Sequence, residues 1–205
     1  MGQYYHPVFH RNKKGSFMYS HDYGDGLKLM EHSWMKNGFV KTFEEQISDN
    51  PALVVWAGDY ADNEKKTSPF FNKALNDKRV KDGAEGHSLY DLCYDPKYKE
   101  PGDEKLYKKI SFTKIQPVES ETDFQYIVNN TTKQFVDKRK AKKDKDGWQV
   151  HPLPLLTVEG NNRGGGDYRL ENKNIGIWAR NEIYVSNTKP QGYTELIPNF
   201  LSDMN

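Results

Sequence analysis

The run Leu53-Val54-Val55-Trp56-Ala57, stopped by Gly58, constrains this chain more than any other feature. Five consecutive apolar residues rich in valine are too few for an ordinary helix and read as a buried strand. A chain built round such a strand needs more apolar surface to cover it. The 205 residues, 35% of them hydrophobic, supply a modest core. Aromatic residues make up 13% and sit largely in short β-prone runs between turn residues. No composition break divides the chain and no internal repeat shows at periods of about 20 to 50 residues. The expectation is one α+β domain over residues 1–205, with a mostly antiparallel sheet and few short helices.

Other elements follow from local pattern. Residues 3–9 and 16–20 read as strands joined by the turn Asn12-Lys13-Lys14-Gly15. Residues 27–35 place Leu27, Met30, Trp34 and Met35 on a helical stripe, while Leu27, Leu29 and Glu31 alternate as in a strand; the helix is the preferred reading. Residues 39–47 place Phe39, Val40, Phe43 and Ile47 on a helical stripe, and Pro51 closes that segment. A short helix is expected over 88–94, with Ser88 as cap and Asp91 in its first turn. Residues 105–115 are assigned to an amphipathic strand. Residues 124–129 and 133–137 form a hairpin, extended by the charged run 138–146 (KRKAKKDKD) as a solvated projection. The two prolines in 150–159 point to an edge strand or extended segment. Residues 175–179 and 182–186 read as a last hairpin around Arg180-Asn181. The tail from Pro190 is expected to pack by Leu196, Ile197 and Phe200.

Thirty basic and 29 acidic residues give a net charge of +1. That excludes a uniformly basic coat, so nucleic acid is not expected as a charge-driven partner. No apolar run approaches the roughly 20 residues of a membrane span, so no membrane partner is expected. The first residues lack a basic-then-apolar leader, and His6 stands where a myristoylation motif wants Ser or Thr. The single cysteine, Cys93, excludes an internal disulfide framework and reads as a small buried hydrophobe. These features point to the cytosol.

Five blocks run through most of the chain: MGQYY (1–5), YSHDYGDGLKLMEHSW (19–34), VVWAGDYAD (54–62), YIVNNTTKQFVD (126–137) and HPLPLLTVEGNNRGGGDY (151–168). In these blocks the sequence resembles small proteins encoded by bacteriophages and prophages. The resemblance implies a protein working inside an infected bacterial cell, in a setting where nucleotide handling and inhibition of host defences are common. It carries no catalytic residue with it.

The polar constellation of most interest is Glu159-Gly160-Asn161-Asn162-Arg163-Gly164-Gly165-Gly166-Asp167-Tyr168. Its glycines permit positive φ and let several N–H groups turn inward, the geometry of a phosphate nest, and Arg163 offers a charged fork. It matches neither the P-loop nor the G-x-G-x-x-G pattern. A second constellation, Gly58-Asp59-Tyr60-Ala61-Asp62, leaves the buried strand where α/β sheets place ligands. It resembles the GD-x-x-D block of metallophosphoesterases but departs from it. His21-Asp22 reverses the upstream order, Asn63 replaces the arginine, and Asn162 stands where the downstream histidine belongs. A third set, His21, Asp22, Asp25, Glu31 and His32, offers metal-ligand residue types within a short stretch. His151 beside Pro152 reads as a structural polar anchor.

The leading expectation is therefore a binding protein that captures a nucleotide-like ligand or a host protein and uses no cofactor. Its expected ligand-binding residues are Asp59, Tyr60, Arg163, Gly164, Gly165, Gly166, Asp167 and Tyr168. The alternatives are a metal-dependent hydrolase acting on nucleotides or phosphoesters, with Asp59, Asp62, His21 and Asp22 as ligands, and a small phage structural or assembly protein.

Overall fold

The computed structural model describes residues 3–65, 68–70, 88–93, 112–144, 146–160 and 173–200. Its centre is the apolar run, strand β3 (Ala52–Gly58), whose alternate side chains enter two different cores. Val54 and Trp56 point into the larger one, with Phe39, Phe43, Leu153, Ile127 and Val185. Val55 and Ala57 point into the other, with Val8, Phe17, Leu89, Leu92 and Phe112. A strand covered on both faces cannot alternate apolar with polar residues, which is why its sequence is a continuous apolar run.

Strand β1 (Tyr5–Arg11) pairs antiparallel with β3 along its length, from Tyr5 opposite Gly58 to His10 opposite Leu53. Strand β2 (Lys14–Phe17) returns antiparallel on β1. The turn between them holds Asn12 and Lys13 at φ 51° and 63°, the pair of left-handed residues that a tight hairpin turn requires. A 3-10 turn (Ser20–Tyr23) leads to the short helix α1 (Leu29–His32), so only the middle of the expected 27–35 helix is helical. Helix α2 (Gly38–Gln46) follows, capped by Asn37, whose side chain accepts the Val40 N–H at 3.0 Å. It buries Phe39, Val40 and Phe43 against the sheet, as the spacing predicts.

Beyond β4 (Thr113–Lys114), which pairs parallel with β2, the chain enters the expected hairpin β5 (Tyr126–Asn129) and β6 (Gln134–Asp137). After helix α3 (Pro152–Thr157) come β7 (Val158–Glu159), β8 (Asn181–Ser186) and β9 (Thr194–Glu195). Nine strands make one mixed, mostly antiparallel sheet in the order β4-β2-β1-β3-β8-β5-β6-β9, with β7 on β3. The fold class is α+β. On the side of β3 away from β1, β8 pairs with Ala52–Val54 and β7 with Trp56 and Ala57. No helix among the described residues is long and apolar enough to cross a membrane.

Several expectations are corrected. Residues 152–157 are helix α3, not an edge strand. Both prolines fall in its first turn, where amide hydrogens have no intrahelical acceptor, so their missing N–H groups cost nothing. The residue before the helix, His151, accepts the Leu153 N–H on Nδ1 at 3.2 Å, a histidine acting as N-cap. Residues 175–179 are turns and not a strand. The Gly176 and Trp178 N–H groups are taken by the carbonyls of Leu155 (2.8 Å) and Leu156 (2.7 Å), so the segment closes α3 instead of joining the sheet. Residues 89–92 are turns and not a helix, although Ser88 and Asp91 do cap each other: the Ser88 N–H donates to Asp91 Oδ2 at 3.0 Å. Of the strand expected over 105–115, only Thr113–Lys114 is strand among the described residues. In the tail Leu196 and Phe200 pack, but Ile197 is 60% exposed.

The largest correction concerns the charged run. Lys138 is not solvated: its side chain is 3% exposed, and its ammonium donates to both Glu44 oxygens (2.9 and 2.7 Å) and to Asp123 (3.3 Å). Glu44 belongs to α2 and is fully buried. Burial alone raises its carboxyl, and the His151 edge and the Lys138 ammonium override that and hold it below the ordinary carboxylate range. His151 carries its remaining proton on Nε2, 3.3 Å from Glu44 Oε1, so it is a buried polar anchor.

Candidate functional site

Where β3 and β7 end together, the parallel pairing sets two chain segments side by side. Trp56 lies opposite Val158 and Ala57 opposite Glu159, so the loop opened by Gly58-Asp59 leaves the sheet next to Gly160. The N-terminal segment crosses the same place: the Tyr4 N–H donates to Asp59 Oδ1 (3.1 Å) and the Asp59 N–H to the Tyr4 carbonyl (3.0 Å). Gln3 is buried and accepts the Tyr5 hydroxyl at 2.6 Å. Both glycines are set by close approach. A Cβ on Gly58 would lie 2.9 Å from the Tyr5 ring and 3.1 Å from the Glu159 carbonyl, and one on Gly160 would overlap the Gln3 amide.

The pocket at this junction holds about 180 Å³ and is lined by Asp62, Glu64, Lys65, Ser68, Glu159 and Arg180, among others. Arg180 organises it. Its Nε and Nη2 grip Glu159 at 2.7 and 2.6 Å, its Nη2 and Nη1 reach both oxygens of Glu64, and Nη1 also donates to Ser68 Oγ at 3.3 Å. A guanidinium has five N–H donors, and these contacts use all five. Its plane lies over the Phe70 ring, 5.4 Å to the centroid. Burial pulls its pKa down, but the bonds from Glu159 and Glu64 raise it above the free value. Arg180 stands at φ 66°, where a residue with a side chain is strained, and two carboxylates hold it there. The main chain adds a contact, Arg180 N–H to the Val54 carbonyl at 2.8 Å.

This saturation decides the pocket's chemistry. Arg180 has no donor left for an anion and acts as a clamp that orients two carboxylates. The described wall therefore presents mainly carboxylate acceptors, Glu64, Glu159 and Asp62, with the Lys65 ammonium at the same pocket. Burial raises the Asp59 carboxyl, against the Tyr4 N–H that lowers it, and the nearby Asp91 raises it further. Such a wall takes the hydroxyl or amine groups of a ligand.

Of the expected site residues, Asp59 (half-buried) and Tyr60 (54% exposed) stand at the mouth of the first loop. Arg163, Gly164, Gly165, Gly166, Asp167 and Tyr168 lie outside the described residues. Arg180, Glu64 and Gln3 were not expected. No motif marks them, because their partners are distant in sequence: Arg180 and Glu64 are 116 positions apart.

The proposed metal ligands are dispersed. His32 is buried, with Nε2 accepting the Trp56 indole N–H (2.9 Å) and Nδ1 donating to the Gly26 carbonyl (3.0 Å), so both nitrogens are occupied. Asp22 pairs with Lys114 at 2.6 Å, and Glu31 accepts the Lys28 N–H at 2.9 Å. His21 Nδ1 meets the backbone carbonyl of Asp25, not its carboxylate. Among the described residues no group of three or more His, Cys, Asp and Glu side chains is placed to hold a metal ion. The Cys93 thiol is buried and donates to the Leu89 carbonyl.

Comparison with protein families, with curated proteins and with solved structures returns no match for this chain.

Proposed function

We propose that this chain is a binding protein that captures a nucleotide-like ligand at the shared ends of β3 and β7. The observation that carries the reading is the parallel β3–β7 pairing, which starts the Asp59 loop and the Gly-rich loop from neighbouring positions. The carboxylate wall ordered by Arg180 suits the donor-rich end of such a ligand, its sugar hydroxyls and exocyclic amines. The Gly-rich loop, with Arg163, is the segment whose composition suits the anionic end. Tyr60 offers an exposed aromatic face for a base. In this reading the protein works by sequestration inside an infected bacterial cell, the context implied by its resemblance to phage-encoded proteins.

A thermal-shift screen of mono-, di- and cyclic nucleotides, followed by calorimetry, tests it. At least one nucleotide should raise Tm. Asp62→Asn and Arg163→Ala should each weaken that ligand about tenfold or more, the scale of one lost charge-assisted hydrogen bond. No shift with any nucleotide, or unchanged affinity in both variants, overturns the reading.

A further inference from the structure

We propose that a groove at the opposite end of the sheet binds a phosphate-bearing ligand, independently of what the carboxylate pocket takes. Strand register fixes its position. β8 runs antiparallel to β3 with Ala52 opposite Ile183, so Asn187, just past β8, lies beyond the start of β3, whereas Asp59 follows its end. Tyr126 pairs with both Ser186 and Asp137, which brings the start of β5 and the end of β6 to the same place. Residues 35–36 close the groove: the Met35 N–H donates to the Gln149 carbonyl at 2.9 Å, and Gln149 bridges to Lys143. The open groove holds about 460 Å³, within the range of small-ligand sites.

The described lining sets Lys36, Lys138, Arg139 and Lys143 against one carboxylate, Asp123. These four cations are not equivalent. Lys138 is held by Glu44 and Asp123, and Arg139 by Asp137 at 2.9 Å. Lys36 and Lys143 are exposed and make no ion pair among the described residues. Lys36 also stands at φ 69°, a left-handed conformation disfavoured for a residue with a side chain. Two lysines without an ion pair among the described residues, on segments whose backbones both meet Gln149, line one groove with the core-anchored Lys138 and fit an anion that carries more than one negative oxygen. The chain's net charge of +1 does not oppose this, because at physiological salt only charges within about 8 Å act strongly on a ligand. The phosphate can come from a compact diphosphate or from the backbone of a single strand of nucleic acid.

The test measures binding of pyrophosphate by calorimetry and of a labelled short oligothymidylate by fluorescence anisotropy, at about 50 and 200 mM salt. The comparison is between wild type, Lys36→Gln/Lys143→Gln, and the control Lys13→Gln/Lys14→Gln at the exposed β1–β2 turn. The groove variant should keep its circular dichroism spectrum and bind at least about tenfold more weakly. For the oligonucleotide, its log-log salt slope should shrink by about 1.4, two phosphates at about 0.7 each. The control should bind like wild type. Pyrophosphate binding alone identifies a compact phosphate as the ligand, and oligonucleotide binding alone identifies a backbone. Binding of neither, an unaffected groove variant, or equal loss in the control overturns the proposal.

Discussion

His32 shows how a single buried side chain ties this fold to pH. Its Nε2 accepts the Trp56 indole N–H and its Nδ1 donates to Gly26, so the ring is neutral with one fixed tautomer. A second proton would point at the Trp56 hydrogen. Burial, opposed by the Gly26 bond and by Glu31, holds its pKa down to about 4. In the unfolded chain a histidine titrates near 6.5. Between those values the unfolded state binds a proton that the native state refuses, so stability falls as pH falls. The contribution is intact above about pH 6.5 and fully lost below about pH 4. His151, also held low by burial, acts with the same sign. Glu44, held low in the native state, adds its loss only at more acidic pH. Urea unfolding at pH 7.5 and 5.0 should therefore differ by about 2 kcal/mol or more, the linkage integral for one such histidine. Equal stability at the two pH values would show that His32 titrates normally. Little of this was legible in sequence. His32 looks like a metal ligand beside Glu31, and Lys138 looks like one more cation in KRKAKKDKD. What distinguishes each is a partner far along the chain: Trp56 for His32, and Glu44, 94 positions away, for Lys138.

Elements were legible where one local rule decided them. The continuous apolar run of β3, the capped stripe of α2 and the β5–β6 hairpin each follow from spacing and turn chemistry, and each forms within a residue or two of its expected bounds. The rule fails at α3, where proline reads as a strand-edge signal although its place in a first helical turn is equally natural. It fails again at residues 175–179, whose β-prone composition yields to the unsatisfied carbonyls of Leu155 and Leu156. The helix can be tested by substitution. Pro154→Ala keeps every existing hydrogen bond, loosens the unfolded chain by about 0.4–1 kcal/mol and also trims a buried ring, for a total that should stay below that of Leu155→Ala. Leu155→Ala empties a fully buried position one residue on and should cost about 2–5 kcal/mol. Urea denaturation of both variants should show that ordering. A near-neutral Leu155→Ala would place the segment at the surface, as an edge strand would have it.

Across the whole molecule, the sheet separates two chemical environments. Carboxylates gather where β3 and β7 end, and Lys36 and Lys143, without an ion pair among the described residues, stand beyond the start of β3. The acidic end has a structural cost that Arg180 offsets. Glu64 and Glu159 are both buried and would repel each other without the guanidinium between them. The clamp also joins three parts of the chain: the segment holding Glu64 and Ser68, strand β7, and the start of β8. Its loss should therefore be felt globally. Arg180→Met leaves two buried carboxylates without a counter-charge and should cost about 3–5 kcal/mol, the range for breaking a buried ion pair. Arg180→Lys keeps the charge but cannot span both carboxylates in fork geometry, so it should recover only part of that loss. Adding Glu64→Gln to Arg180→Met removes one of the stranded charges and should restore stability relative to Arg180→Met alone, a coupling that double-mutant analysis of denaturation curves reads directly. If Arg180→Met is as stable as wild type, or if Glu64→Gln destabilises both backgrounds equally, the guanidinium is not what holds the ends of β3 and β7 together.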